Sequence, residues 1–273
     1  MIPARQLRTQ PVMGTVVTID VREPFVPPEA LEAAIAWFAD VDLRFSPFRA
    51  DSEVTRVGAG ELAFEDASPD VRAMFTLADL IRDRSGGAFD QRGHRADGRA
   101  DPTGVVKGWA VDEAVARLRL AGARNFEVIA GGDLVVVGEP EPGQPWRIGI
   151  RHPDHENATA AVLVVRDLAV ATSGLYERGA HIVDPRTGRA PSGLRSLTVV
   201  GPTLAFADAY ATAGFVMGEP GIEWAAAEPG FGALGITAVD RLVWTELLDE
   251  LLVAPAAVPE GSGEGSGVRA VER

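Results

Sequence analysis

Asp208 and Thr212 stand four residues apart in an alanine-rich run, Ala207-Asp-Ala-Tyr-Ala-Thr-Ala213. Residues at that spacing share one face of a helix, so the run presents a carboxylate and a hydroxyl together. Both are hard oxygen donors of the kind Mg²⁺ takes, with substrate phosphates completing its shell. A second reading stays open here, with Asp208 as a helix N-cap and Thr212 as a tolerated helical threonine. The stretch Asp101-Pro-Thr-Gly-Val-Val-Lys107-Gly108 marks a loop-to-helix junction. A helix start offers unpaired N–H groups and a partial positive charge to an anion, and Gly104 and Gly108 allow close backbone approach. Lys107 falls in the expected first turn, where an ammonium opposes the helix dipole unless a phosphate faces it. The alternative is one exposed lysine on a surface helix. The spacing is neither a Walker A motif nor Gly-x-Gly-x-x-Gly.

Lys107 is the single lysine beside 25 arginines. A compact ammonium with three donors suits a place where a planar guanidinium does not fit, or the position is chance. His181 lies in Thr172-Ser-Gly-Leu-Tyr-Glu-Arg-Gly-Ala-His-Ile-Val-Asp184-Pro-Arg186-Thr-Gly188. A His in a glycine-rich loop beside an Asp can serve as a general base at neutral pH, whereas Asp184 and Arg186 read equally as loop braces. His152 and His155 read as a surface loop, and no His pair has the i, i+4 spacing of a zinc helix. Gly86-Gly-Ala-Phe-Asp90 ends a helix, either as a simple cap turn or as the wall of a ring site. Gly131-Gly-Asp133 is a hairpin turn or a bulge admitting ligand.

Among 273 residues there is no cysteine, which excludes disulfides, thiolate metal sites and Cys nucleophiles. The net charge of −13 argues against nucleic acid as a partner. Neither a targeting segment nor an apolar run of membrane-spanning length is visible, so no membrane insertion and a cytoplasmic location are expected. The pattern predicts a strand over 12–21 and helices over 28–45, 68–84 (Ser68 as N-cap), 105–122 and 204–216. It predicts strands at 126–130, 133–137, 146–151, 160–166, 168–172 and 196–201. A short helix near 221–228, a hairpin over 233–245 and a helical stretch to Leu252 follow. Separated strand runs and helices make the class α+β, one domain over 1–252. Residues 253–273, with Glu-Gly-Ser-Gly repeats, read as a flexible tail.

Taken in order, these motifs resemble the ApbE family of FAD:protein FMN transferases. The matching runs are Met13-Gly-Thr15, Phe45-Ser-Pro-Phe48-Arg49, Gly87-Ala-Phe-Asp90, Asp101 to Asp112, Gly131-Gly-Asp133, Trp146-Arg-Ile-Gly-Ile150, Thr172-Ser-Gly174, His181 to Gly188 and Ala207 to Ala213, spread over roughly residues 12 to 245. The resemblance implies a T-fold-like build of mixed sheets packed with helices around a central cleft. It implies FAD as substrate and Mg²⁺ held by Asp208, Thr212 and the carbonyl of Gly104. Met13, Phe48, Ala88, Phe89, Asp90, Asp101, Lys107 and Ile182 would line the FAD site. His181, with Asp208, would carry the chemistry. The implied partner is an acceptor flavoprotein with a Ser/Thr-containing segment. Phe48 stands where many relatives have Tyr, and the segment between Asp90 and Asp101 is shorter than in longer relatives. Two other activities fit the same residues: a Mg²⁺-dependent FAD pyrophosphatase giving FMN and AMP, and a flavin-binding protein without turnover.

Overall fold

The run Leu134-Val-Val-Val137 has no polar face, so a strand made of it must be covered on both sides. The structure, a computed structural model, covers it in that way; it describes residues 5–23, 26–92, 99–174, 182–253 and 268–271. The elements are β1 (Gln6–Val12), β2 (Thr15–Val21), α1 (Pro28–Phe45), α2 (Glu53–Gly58), α3 (Pro69–Arg84), α4 (Thr103–Leu120), β3 (Phe126–Ala130), β4 (Asp133–Val137), β5 (Trp146–His152) and β6 (His155–Val165). They continue with β7 (Leu168–Gly174), β8 (Leu194–Gly201), α5 (Leu204–Met217), α6 (Pro220–Ala225), β9 (Gly232–Thr237), β10 (Leu242–Thr245), β11 (Leu252–Val253) and β12 (Val268–Val271). Short 3-10 turns occupy Phe64–Asp66 and Glu246–Asp249.

Among the described residues, nine strands form one sheet in the order β1-β2-β3-β4-β7-β8-β9-β10-β12, and β11-β6-β5 form a second. The α+β class holds. Every ladder between these strands is antiparallel, so the sheets are not mixed in direction. Alternation along β4 splits its side chains between two cores. Val135 and Val137 join the large core shared with the helices, and Leu134 and Val136 join a smaller one under the second sheet, with Trp146, Ile150 and Leu163. The layers are therefore helices, long sheet, short sheet.

Several expectations change here. The strand expected over 12–21 is a hairpin: Met13 and Gly14 both have positive φ (56° and 66°) and turn the chain between β1 and β2. β1 escaped notice because it is an edge strand of mostly exposed, mixed residues containing Pro11. Ser68 makes no side-chain cap; its backbone N–H donates instead to the Glu53 carboxylate at 2.6 Å. The stretch leading to Leu252 is a 3-10 turn followed by β11 rather than a helix. Within the tail, 268–271 pairs along the edge of β10 as β12, whereas 254–267 lies outside the described residues. His152 is buried, and its Nε2 lies 3.1 Å from Asp240 Oδ1, so it ties two hairpin ends together rather than sitting on a surface loop. No described helix is long and apolar enough to cross a membrane.

Helix α5, rich in alanine, is packed closely from both sides. Against α6, a Cβ added to Gly221 would collide with the carbonyl oxygen of Gly214, a backbone atom that cannot move aside cheaply. Overpacking of this kind costs about 1–3 kcal/mol. Gly221→Ala should therefore lower Tm by roughly 5 °C, read by differential scanning fluorimetry.

Candidate active site

The site grows from the crossing of α4 and α5 over the end of β4. Gly131 and Gly132, both at positive φ (61° and 99°), make the two-residue turn that starts β4 at Asp133, so this motif is the hairpin turn. Alternation aims Asp133 at the helices. Its Oδ1 accepts the Thr172 N–H at 2.9 Å, and its Oδ2 is in direct contact with Lys107 Nζ. The same ammonium lies 3.3 Å from Asp208 Oδ2. Asp133 and Asp208 are both buried, and Lys107 is partly so. A lysine fixed between two such carboxylates is a positioned charge rather than a loose surface side chain.

Lys107 is not where the sequence suggested. α4 begins at Thr103, not near Val105, so Lys107 is past the first turn. The helix start is organised by Asp101, whose Oδ1 accepts the Thr103 N–H at 3.0 Å, with Pro102 between them. No anion is needed to offset the helix dipole at Lys107, since Asp133 and Asp208 supply the compensation.

On α5, Asp208 lies one turn inside the helix, which excludes the capping alternative. Thr212 follows on the same face, its Oγ1 3.1 Å from Ser173 Oγ of β7. Thr172 Oγ1, on the other face of β7, pairs with Thr198 Oγ1 at 2.9 Å. Among the described residues, no group of three or more His, Asp and Glu is placed to hold a metal. The donors that the sequence named are the Asp208 carboxylate and the Thr212 hydroxyl on one face of α5 and the Gly104 carbonyl in the first turn of α4. That all-oxygen set suits Mg²⁺, which keeps few protein ligands and takes the rest from phosphate and water.

The surrounding wall is drawn together by packing. A Cβ on Gly104 would sit 2.9 Å from the Phe89 ring, so α4 starts directly on that ring. Ala88 and Phe89 are buried, and the Ser85 hydroxyl accepts the Phe89 N–H at 3.0 Å. Asp90 accepts the Arg92 N–H at 2.9 Å and faces Arg82 at 3.6 Å. The Asp101 N–H donates to the Gln91 carbonyl at 2.8 Å, which ties the start of α4 to the residue after Asp90. Next to Gly87 runs the Arg186 side chain, so the 184–188 turn lies against the 86–90 turn. Arg186 and Asp184 pair through two hydrogen bonds of 2.9 and 3.0 Å, which hold the Asp184 carboxyl below its usual range and brace the loop. Ile182 is buried in the large core. Met13 sits at the β1–β2 turn, against the same core. Phe48 is 95% exposed, on the turn beside a recess lined by Pro47, Val54, Thr55, Gly58, Arg99 and Asp101. Neither Met13 nor Phe48 joins the hydrogen-bonded centre. His181 lies outside the described residues.

Three residues were passed over in the sequence. Asp133 read as a turn residue and Ser173 as part of a motif without a role. Asp112 read as one end of a matching run. Its Oδ1 and Oδ2 accept the N–H groups of Leu204 and Ala205 at 2.8 and 2.9 Å. Burial pushes its carboxyl up from 3.8 to about 6, against the opposing pull of those two donors. The available signal was Gly108 and Asp112 four apart on one helix face. Because the folded chain binds this proton more tightly than the unfolded chain, the group lowers stability as pH rises from about 4 to about 6 and adds no further change above. Asp112→Asn removes that titration. By urea unfolding, wild type minus variant stability should be larger near about pH 4.5 than near about pH 7.

Comparison with known proteins agrees with this architecture. An FAD:protein FMN transferase of Haemophilus influenzae is 35% identical over 130 residues, 44% of this chain and 38% of that protein. One from Rhodobacter capsulatus is 39% identical over 146 residues, 50% of this chain and 27% of the relative. The matched stretch thus spans well under half the length of these curated relatives. Among solved structures, flavin transferase ApbE from Vibrio cholerae superposes with a TM-score of 0.77 at 24% identity, covering 87% of this chain and 94% of that one. The apo flavinyl transferase ApbE of Pseudomonas stutzeri gives 0.78 at 23% identity, covering 93% and 98%. At such identities the superpositions speak for the fold. The sequence profile of the ApbE family matches residues 13–94 and 91–234, most of the chain, and the chain belongs to that family.

Proposed function

We propose that this protein transfers FMN from FAD to a Ser or Thr hydroxyl of an acceptor flavoprotein in a Mg²⁺-dependent reaction that releases AMP. The observation that carries the reading is the placement of Lys107 3.3 Å from Asp208, with Thr212 one turn further along the same helix face. Relatives named FAD:protein FMN transferase, alike over the matched stretch, support the same reading.

Asp208, Thr212 and the Gly104 carbonyl would hold Mg²⁺. When bound, Mg²⁺ supplies charge neutralisation and alignment at the diphosphate of FAD. Lys107, anchored by Asp133, offsets further negative charge on the same diphosphate. Phe89, with Ala88 behind it, presents an apolar wall next to the α4 start. The acceptor oxygen bonds to the FMN phosphorus as that phosphorus loses its bond to the bridging oxygen, which departs on AMP. His181 is the proposed base for the hydroxyl proton; its neighbour Ile182 is anchored in the core.

The test is incubation with FAD and Mg²⁺, with and without a candidate acceptor, followed by mass analysis of the acceptor and separation of AMP from FMN. Transfer gives an acceptor gaining one FMN per AMP formed. Equal FMN and AMP regardless of acceptor would mean hydrolysis instead, and no AMP at all would leave only flavin binding.

A further inference from the structure

The start of α5 is unusual. Its capping residue Thr203 makes no side-chain cap, and its buried hydroxyl oxygen finds no partner among the described residues. A helix start needs acceptors for its first N–H groups. Here they come from another helix, 92 residues earlier in the chain: Asp112 accepts the Leu204 N–H with one oxygen and the Ala205 N–H with the other. One turn before Asp112, Gly108 meets the opposite end of the same residue. A Cβ at Gly108 would stand 2.5 Å from the Leu204 carbonyl oxygen. α4 therefore holds the Leu204 N–H by a hydrogen bond and lies close against its carbonyl, and the two together set the sliding position of α5 along α4.

Leu204, Asp208 and Thr212 form one stripe at i, i+4 and i+8. Rise along a helix places Asp208 about 6 Å, and Thr212 about 12 Å, from that grip. Lys107, adjacent to Gly108, reaches Asp208 at 3.3 Å. The grip and the charged contact are two parts of one helix crossing. A slip of α5 by even a fraction of a turn would move both proposed Mg²⁺ donors relative to Lys107.

We propose that Asp112 is a positioning residue for the metal site, setting the stand of Asp208 and Thr212 through the α5 start while touching neither FAD nor the ion. This rests on reading Asp208 and Thr212 as Mg²⁺ ligands. An Asn at this position keeps one oxygen acceptor and presents N–H donors towards a backbone N–H, so it loses one of the two bonds. A Glu keeps both oxygens but carries them one methylene further out.

The experiment titrates Mg²⁺ into wild type, Asp112→Asn, Asp112→Glu and Asp208→Ala with FAD present, and follows flavin fluorescence with FAD binding without metal and Tm as controls. Asp112→Asn should bind FAD without metal as wild type does but need about 10-fold more Mg²⁺ for half-response, with kcat falling more than KM for FAD rises. Should Asp112→Asn fail to fold, Asp112→Glu is read in the same way, with a shift in the same direction. An unchanged Mg²⁺ half-response beside a lowered Tm would overturn the positioning role alone. A wild type indifferent to Mg²⁺, or an Asp208→Ala variant that responds like wild type, would overturn the ligand reading and the positioning role with it.

Discussion

Asp208→Ala is expected to lower AMP production from FAD by more than about 100-fold while leaving Tm close to the wild-type value. The loss follows from removing the one carboxylate on the α5 face that Mg²⁺ could use, since Thr212 offers only a neutral hydroxyl. Electrostatic stabilisation by a positioned group at a reacting centre is worth about two to three powers of ten. The small stability effect follows from the surroundings. Asp208 is a buried acid whose charge partner Lys107 keeps its contact with Asp133, so the variant strands no ammonium. Alanine is also the best helix former, in a helix already rich in it. The check is AMP release by chromatography against Mg²⁺ concentration. Activity within about threefold of wild type at saturating Mg²⁺ would remove Asp208 from the metal site.

Asp133→Asn is expected to raise the Mg²⁺ requirement by about 10-fold and to lower AMP production at limiting Mg²⁺. The amide oxygen can still accept the Thr172 N–H, so the β4–β7 connection survives. What disappears is the negative charge in contact with Lys107. The ammonium then has Asp208 as its nearest carboxylate and competes with the ion for it. Combining Asp133→Asn with Lys107→Met should restore part of the Mg²⁺ affinity, because the competing cation is gone, but not the rate, because the diphosphate loses its lysine. A double variant no better in Mg²⁺ affinity than Asp133→Asn alone would show that Asp133 does not act through Lys107.

The helices that frame the site were legible because their signals are local. α1 starts at a Pro pair and runs on an apolar stripe through Leu31, Ala34, Phe38 and Val41, and the Ala207–Ala213 run gave α5 to within a residue at its end. The Asp208/Thr212 pair was visible for the same reason, since four-residue spacing means one face whatever surrounds it. Asp112 and Asp133 were not legible as site residues. Their partners, Leu204 and Lys107, lie in other elements, and nothing in the intervening sequence says which elements cross. The cap ambiguity at Asp208 had the same origin: the true acceptor for the α5 start comes from α4. Lys107 was misplaced by two residues of helix boundary, because the Asp101 side chain begins the helix sooner than the apolar pattern does.

β4 has protein on both faces, and Asp133 is its first residue. Strands so enclosed are the last parts of a protein to open, and their amides exchange only on global unfolding. The lysine is thus referenced to a strand enclosed on both faces. The Arg186–Gly188 turn, by contrast, is exposed and is held by its own Arg186–Asp184 pair rather than by β4. Under the proposed transfer, that division would let a protein acceptor reach the diphosphate. The acceptor would then meet that exposed turn, while the contact between ammonium and carboxylate rests on the enclosed strand.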